Sequence, residues 1–406
     1  MCIGLVGLTF RNVSNIRLDG LTINSCGKGA VTYGDYLTTC GMPIVSGEDI
    51  MIVNCSFEDS VGTALGVFYS NLNLHGNNFT KNCSGHPSGS SGLVARLLTN
   101  TSNMFISENK VTNNSAEYGG GITPQKNTLN FTMSRKCNSA KYGGGIYGYN
   151  STLNLTGSNI LAENSAEYGG GISALNSILN LTGDSSFTDN KAEFYGGGIH
   201  AANSTLISSR NNTFRDNSAM NLGGAINADD SSLNVTGNNI FRSNTADLGG
   251  GISVHNATLI YTGNSCFRSN SAMVFGGGIE AVYSILSLLG NKSFMDNSAW
   301  LFGGGISLHY STLNLDGDSI FTNNSAIQGG GIDVSNSSLN LSGNKTFRTN
   351  SAEYGGGVGA LKSTVTFIGN SKFENNLVVK HGGGVSAHSS TLRFTGSTNF
   401  TDNSVS

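Results

Sequence analysis

A glycine triplet followed by an aliphatic residue recurs along most of this chain, and its interval constrains the fold more than any other feature. The aliphatic residue falls at Ile122, Ile146, Ile172, Ile199, Ile226, Ile252, Ile279, Ile306, Ile332, Val358 and Val385. The intervals are 24, 26, 27, 27, 26, 27, 27, 26, 26 and 27 residues. A fixed period of this size marks a solenoid, built from copies that cannot bury an apolar face alone. At 406 residues two globular domains would be the ordinary expectation; the repeat instead predicts one elongated array.

Inside each copy the apolar period is 2. Ile172 and Ala174 flank Ser173, and Ile332 and Val334 flank Asp333. A second run places Leu153/Leu155, Leu179/Leu181, Leu233/Val235, Leu313/Leu315 and Leu339/Leu341 around an Asn, and Leu392/Phe394 around Arg393. Alternation over such short runs predicts half-buried strands. A third strand carries Phe187, Phe214, Phe241, Phe267, Phe294, Phe321, Phe347, Phe373 and Phe400. The predicted fold is all-β: a single-stranded parallel β-helix with 26–27 residues and three short strands per coil. Equivalent residues then stack at about 4.8 Å. An α-solenoid is excluded, because each glycine inside a helix costs about 1 kcal/mol and three occur together.

The polar positions repeat as well. Asn190, Asn217, Asn244, Asn270, Asn297, Asn324 and Asn350 form one column, predicted to be an amide ladder at a turn. Ser151, Ser177, Ser204, Ser284, Ser311, Ser337, Ser363 and Ser390 form a second column, predicted at another corner. The glycines suit a corner where backbones pass closely or φ is positive. Residues 1–61 read as irregular β-helix coils, 62–403 as the regular array, and 404–406 as the start of a further coil. The copy between Ile122 and Ile146 is short and lacks the strand-ending glycine. A loop holding Tyr33, Asp35, Tyr36, Cys40 and Pro43 is expected to bulge outward. The chain opens in mid-strand and stops where the next glycine triplet is due, so a segment of a longer polypeptide is expected.

Charge is sparse, at 12% of residues and a net −3, and no Lys/Arg run appears, which argues against nucleic acid as a partner. Val274–Leu289 is the most apolar region, but it alternates and contains Glu280, so it reads as strands and direct membrane insertion is not expected. Cys26, Cys55 and Cys83 lie 29 and 28 residues apart. Two readings stay open: a disulfide between neighbouring coils, or small buried residues in a ladder. Cys137 and Cys266 read as isolated substitutions, and no spacing of cysteines and histidines suits zinc. About twenty Asn-x-Ser/Thr sequons, Asn154, Asn180, Asn234 and Asn340 among them, favour an extracellular or cell-surface location.

Paired GGA[ILV] and FxxN motifs at this interval resemble the passenger regions of chlamydial polymorphic outer membrane proteins and similar eukaryotic β-helix proteins. Gly223-Gly224-Ala225-Ile226 fits the first motif, most copies carry GGGI, and Phe187/Asn190 and its equivalents fit the second. The resemblance covers roughly residues 62–403. It implies a right-handed, pectin-lyase-like coil in a surface-exposed, adhesive protein. The C-terminal membrane barrel of the bacterial family is lacking here.

No catalytic constellation emerges, and the predicted function is a non-catalytic adhesion or structural segment recognising an unknown protein or glycan, with no cofactor. The alternative is a carbohydrate-active β-helix enzyme, which needs carboxylates clustered on one face of neighbouring coils. Asp229-Asp230 reads as a turn pair without a partner in adjacent copies, and Asp316 and Asp318 as turn residues. His381-Gly382 echoes a polygalacturonase dipeptide but precedes a repeat glycine. His200, His255 and His309 read as exposed and unclustered. The triple glycines lack the lysine of a phosphate loop. Thr152/Asn154/Thr156, Thr258/Ile260/Thr262 and Thr391/Arg393/Thr395 raise a flat ice-binding face, but Asp316, Arg393, Ile178 and Ile285 interrupt its columns.

Overall fold

The structure is a computed structural model that describes residues 10–11, 14–24, 30–33, 36–45, 50–60, 63–68, 72–82, 93–96, 103–125 and 128–405. The described residues are strands and turns, with no helix. Successive coils pair in parallel, equivalent residue to equivalent residue, so the chain is a parallel β-helix. It divides into two compact units: Met1–Glu193 with Gly198–Ser204, and Phe194–Gly197 with Thr205–Ser406.

In the second unit a representative coil runs Ile252–His255, Thr258–Tyr261, Ser265–Arg268 and Ser271–Phe275. The first three are the strands that period-2 alternation predicts. The fourth, of the Ser-Ala-x-x type, escapes that test because it has one small inward side chain, Ala272. Its ladder is short and slips register between Ala246 and Leu248.

Three corners turn the coil, and a glycine break, as at Gly290 with φ of 80°, parts the second strand from the third. Asp296, with φ of 57°, turns the chain left-handed before Asn297, and Tyr283 does the same before Ser284 with φ of 50°. Asn, Asp and Ser fill most such positions, because short polar side chains tolerate that conformation. The third corner is the glycine triplet. Gly276 has φ of 64°; a Cβ on Gly277 would meet the Gly304 carbonyl oxygen at 2.4 Å; one on Gly278 would meet the Phe294 ring at 3.0 Å. The first glycine therefore answers to conformation and the other two to the next coil's backbone, since a Cβ on Gly278 would also meet the Gly305 carbonyl oxygen at 2.6 Å, with the aromatic core a further limit on the third.

The core of the second unit is a stack of rings and leucines. Phe214, Phe241, Phe267, Phe294, Phe321 and Phe347 lie face to face, with successive centroids 4.9, 4.6, 4.8, 4.8 and 4.9 Å apart. Leu233, Leu259, Leu286, Leu313 and Leu339 are fully buried beside them.

The first unit repeats this plan less regularly. Ile146–Tyr149, Thr152–Leu155, Asn159–Ala162 and Ser165–Tyr168 form one of its regular coils. Thr128–Lys136 is instead one nine-residue strand, as the missing glycine allows: its start pairs with Thr152–Leu155 and its end with Ile160–Ala162. The segment expected to be an outward loop is a hairpin. Ala30–Tyr33 pairs antiparallel with Tyr36–Val45, which then joins the coil by pairing with Thr63–Phe68. Alternating apolar residues around Pro43 let it serve as a strand, a pattern that its turn residues obscure. The turn-rich stretch 83–92, Cys26 and Cys83 lie outside the described residues. Cys55 is a buried free thiol that donates to the Val53 carbonyl at 3.2 Å.

Candidate functional site

The asparagine column is internal. In the first unit Asn190 accepts from the Asn164 backbone N–H at 3.2 Å and its amide at 2.9 Å, and donates to the Leu161 carbonyl at 2.8 Å. In the second, Asn217 bonds Asn244, Asn244 bonds Asn270, and so on through Asn297, Asn324 and Asn350, with amide–amide distances of 2.9–3.0 Å. Phe187 is fully buried, in register with Leu161. These residues hold the coil and offer nothing to a ligand. The outer face of the glycine corner, by contrast, carries half-buried aromatic rings in most coils.

There the residue preceding the triplet leans over the residue following its aliphatic. In the first unit the leaning residues are tyrosines. Tyr118 stacks on Tyr142 at 5.4 Å and Tyr142 on Tyr168 at 5.1 Å, and Tyr147 tilts against both Tyr118 and Tyr142. All four are half-buried, so ring edges and faces meet solvent. The Lys141 ammonium lies 5.5 Å from the Tyr142 ring centre. His200 packs 5.9 Å from Tyr168, and burial pushes its pKa down to about 4.

In the second unit the leaning positions are Leu248, Phe275, Phe302, Gln328, Tyr354 and His381. Beneath them Ser253, Glu280, Ser307, Asp333, Gly359 and Ser386 stand in register. Glu280 and Asp333 are wholly buried. Glu280 accepts from the Ser253 hydroxyl at 2.7 Å and from His255 Nε2 at 3.2 Å. Asp333 accepts from Gln328 Nε2 at 2.7 Å and Ser335 Oγ at 3.1 Å, yet burial outweighs both bonds and raises its pKa to about 7.

One sequence reading needs correction here. His200, His255 and His309 are half-buried rather than exposed, and His255 does meet acids. His255 is the register partner of Asp229 and bonds Glu280, while His309 packs 4.8 Å from Phe275. Burial opposes protonation of His255, but the Glu280 bond and charge, with Asp229, outweigh it and hold its pKa above the ordinary value. Burial dominates at His309 and lowers its pKa. Carboxylates do not cluster on neighbouring coils in this column: Glu280 and Asp333 stand two coils apart with Ser307 between them, about 10 Å at 4.8 Å per coil, and both are wholly buried. The available signal was the residue after the aliphatic ruler, polar in most copies and acidic in these two.

Asp229 ends a strand, while Asp230 and Asp316 stay at turns. Asp230 accepts from the Asn256 amide. Asp316 accepts from the Gly317 N–H at 2.7 Å and Ser342 Oγ at 2.8 Å, bonds that hold its carboxyl below the usual range. The described residues contain no group of three or more His, Cys, Asp or Glu side chains placed to hold a metal ion. Among the described residues no helix is long and apolar enough to cross a membrane.

Lys292 and Lys345 were also missed. They look like surface charges, but they point inward, where neighbouring coils carry Ser265, Ser319 and Ser371. The Lys292 ammonium caps the Gly263 carbonyl at 2.7 Å, and burial lowers its pKa to about 8.

No family model and no curated protein matches the chain. Among solved structures, the crystal structure of the TibC-catalyzed hyper-glycosylated TibA fragment (55–350) is similar. It is 17% identical over 95% of this chain and 97% of that one, with a TM-score of 0.26. A TM-score that low carries no argument about function; the fold rests on the register of the strands.

Proposed function

We propose that this chain is a non-catalytic segment of a surface or secreted protein that binds extended glycans along the glycine corner. One observation carries the reading: half-exposed aromatic rings recur there at coil spacing, Tyr118, Tyr142 and Tyr168 in one unit and Phe275 and Phe302, 5.2 Å apart, in the other. Sugar rings present faces of C–H groups at regular intervals, and a row of aromatic faces edged by polar groups suits them. An extracellular location is supported by sequons at exposed corner residues, Asn150, Asn203, Asn256 and Asn336. Affinity electrophoresis through a panel of polysaccharides tests the reading. At least one polysaccharide should retard the protein, and Tyr142→Ala with Phe302→Ala should weaken that about tenfold without changing the circular dichroism. Absence of any retardation, or retention by the double variant, would refute it.

A second reading, a carbohydrate-cleaving enzyme, is favoured by His255 between Asp229 and Glu280. It requires reducing ends to be released from a polysaccharide, and that release to vanish in Glu280→Gln.

A further inference from the structure

We infer that the cleft at Gly359 in the second unit is a subsite for one neutral sugar ring at the end or branch of a glycan. The inference rests on the glycan-binding reading and locates it. The outward column below the leaning residues reads Ser253, Glu280, Ser307, Asp333, Gly359, Ser386, so one position lacks a side chain. A cleft of about 420 Å³ opens there, its lining including Gln328, Tyr354, Gly359, His381, Ser386 and His388.

The glycine does more than leave space. A Cβ at 359 would meet Gln328 Cγ at 2.9 Å and the Gly329 nitrogen at 2.9 Å. Its absence lets Gln328 lie across the floor, where Nε2 donates to the buried Asp333 at 2.7 Å. The Gln328 amide is thereby fixed by a second group below it, the arrangement that makes a polar contact selective. The cleft thus offers one aromatic face, a fixed amide, a hydroxyl and two imidazoles. That mixture of donors and acceptors beside an aromatic ring fits a pyranose, with C–H groups against the Tyr354 ring, alongside Lys380 at 4.9 Å and His381 at 6.0 Å from it, and hydroxyls toward Gln328, Ser386 and His388.

Charge argues for a neutral sugar. The nearby cation, Lys380, lies over the Tyr354 ring at 4.9 Å and is paired with Glu353 at 2.6 Å. Asp333 lies under Gln328, so a carboxylated sugar would face a buried acid and a cation already matched.

The test is saturation-transfer NMR of the whole chain with methyl pyranosides of glucose, galactose, mannose and N-acetylglucosamine, and methyl glucuronide as the charged comparison. At least one neutral glycoside should receive saturation. Tyr354→Ala and His388→Ala should each reduce the signal at least fivefold, while Tyr142→Ala, in the other unit, should leave it unchanged. His388 is exposed, so its replacement tests recognition without touching the core. Equal signal in both cleft variants, or preference for the glucuronide, overturns the inference. Retardation by a polysaccharide with no glycoside signal overturns the subsite alone; loss of both overturns the glycan reading with it.

Discussion

The glycine corner has the same backbone in both units but different chemistry on its outer face. In the first unit Tyr118, Tyr142 and Tyr168 lean over Thr123, Tyr147 and Ser173; in the second, Phe275, Phe302 and Gln328 lean over Glu280, Ser307 and Asp333. The inner side hardly changes: three glycines, with Ala225 in place of the third in one coil, a buried aliphatic, and an asparagine ladder one strand earlier. Ladders of identical residues fix the corner from within, so its exterior can vary without loss of the coil. That separation of scaffold from surface is what a repeat protein with local contacts permits.

The comparison breaks most directly in the core. Phe187→Ala in the first unit and Phe294→Ala in the second should each cost about 3–5 kcal/mol of local stability, measured by hydrogen exchange of the coils concerned. If only one of the pair were costly, the inner sides would not be equivalent. The amide ladder comes next. Asn138→Ala and Asn297→Ala each strip a buried carbonyl and a backbone N–H of their partners, for about 2–4 kcal/mol in denaturant unfolding.

The outer faces should differ in the sign of their pH response. Asp333 has a raised folded pKa of about 7 against 3.8, so the folded state holds its proton more tightly. Its stabilising effect is therefore greatest in acid and declines as pH rises from about 4 to 7. Asp333→Asn should stabilise the second unit by roughly 2–4 kcal/mol at pH 8 and change nothing at pH 4. His200 works in the opposite direction: with a folded pKa of about 4, the first unit should weaken as pH falls below 6.5. A first unit that strengthened on acidification would contradict this contrast.

Smaller effects sharpen it further. His255 has a raised folded pKa, so the stability it adds is present below its ordinary value and lost as pH rises through the raised one. Glu280→Gln should bring the His255 titration, followed by NMR, down to the ordinary range or lower. Least of all, Tyr142→Ala should cost under about 1 kcal/mol, since its ring is half-exposed. A loss as large as that at Phe294 would make the tyrosine ladder part of the core.

Much of this molecule was legible in the chain itself, for a simple reason. Equivalent letters of successive copies lie against one another, so interval and alternation already state which residues touch. Gly276–Gly278, Asn297, Phe294 and Leu313 could be assigned to corner, ladder and core because each packs against its own kind. What period alone could not decide was the meeting of different columns. Whether Gln328 reaches Asp333 depends on how the corner brings one over the other; whether His255 meets Glu280 depends on how two side chains lean across neighbouring coils of one sheet, and whether Lys292 turns inward depends on the carbonyls of Gly263 and Gly290 that meet it there. Neighbours along the stack are fixed by repetition; neighbours around the bend are fixed by the angle of the backbone and the room a missing side chain leaves, as at Gly359.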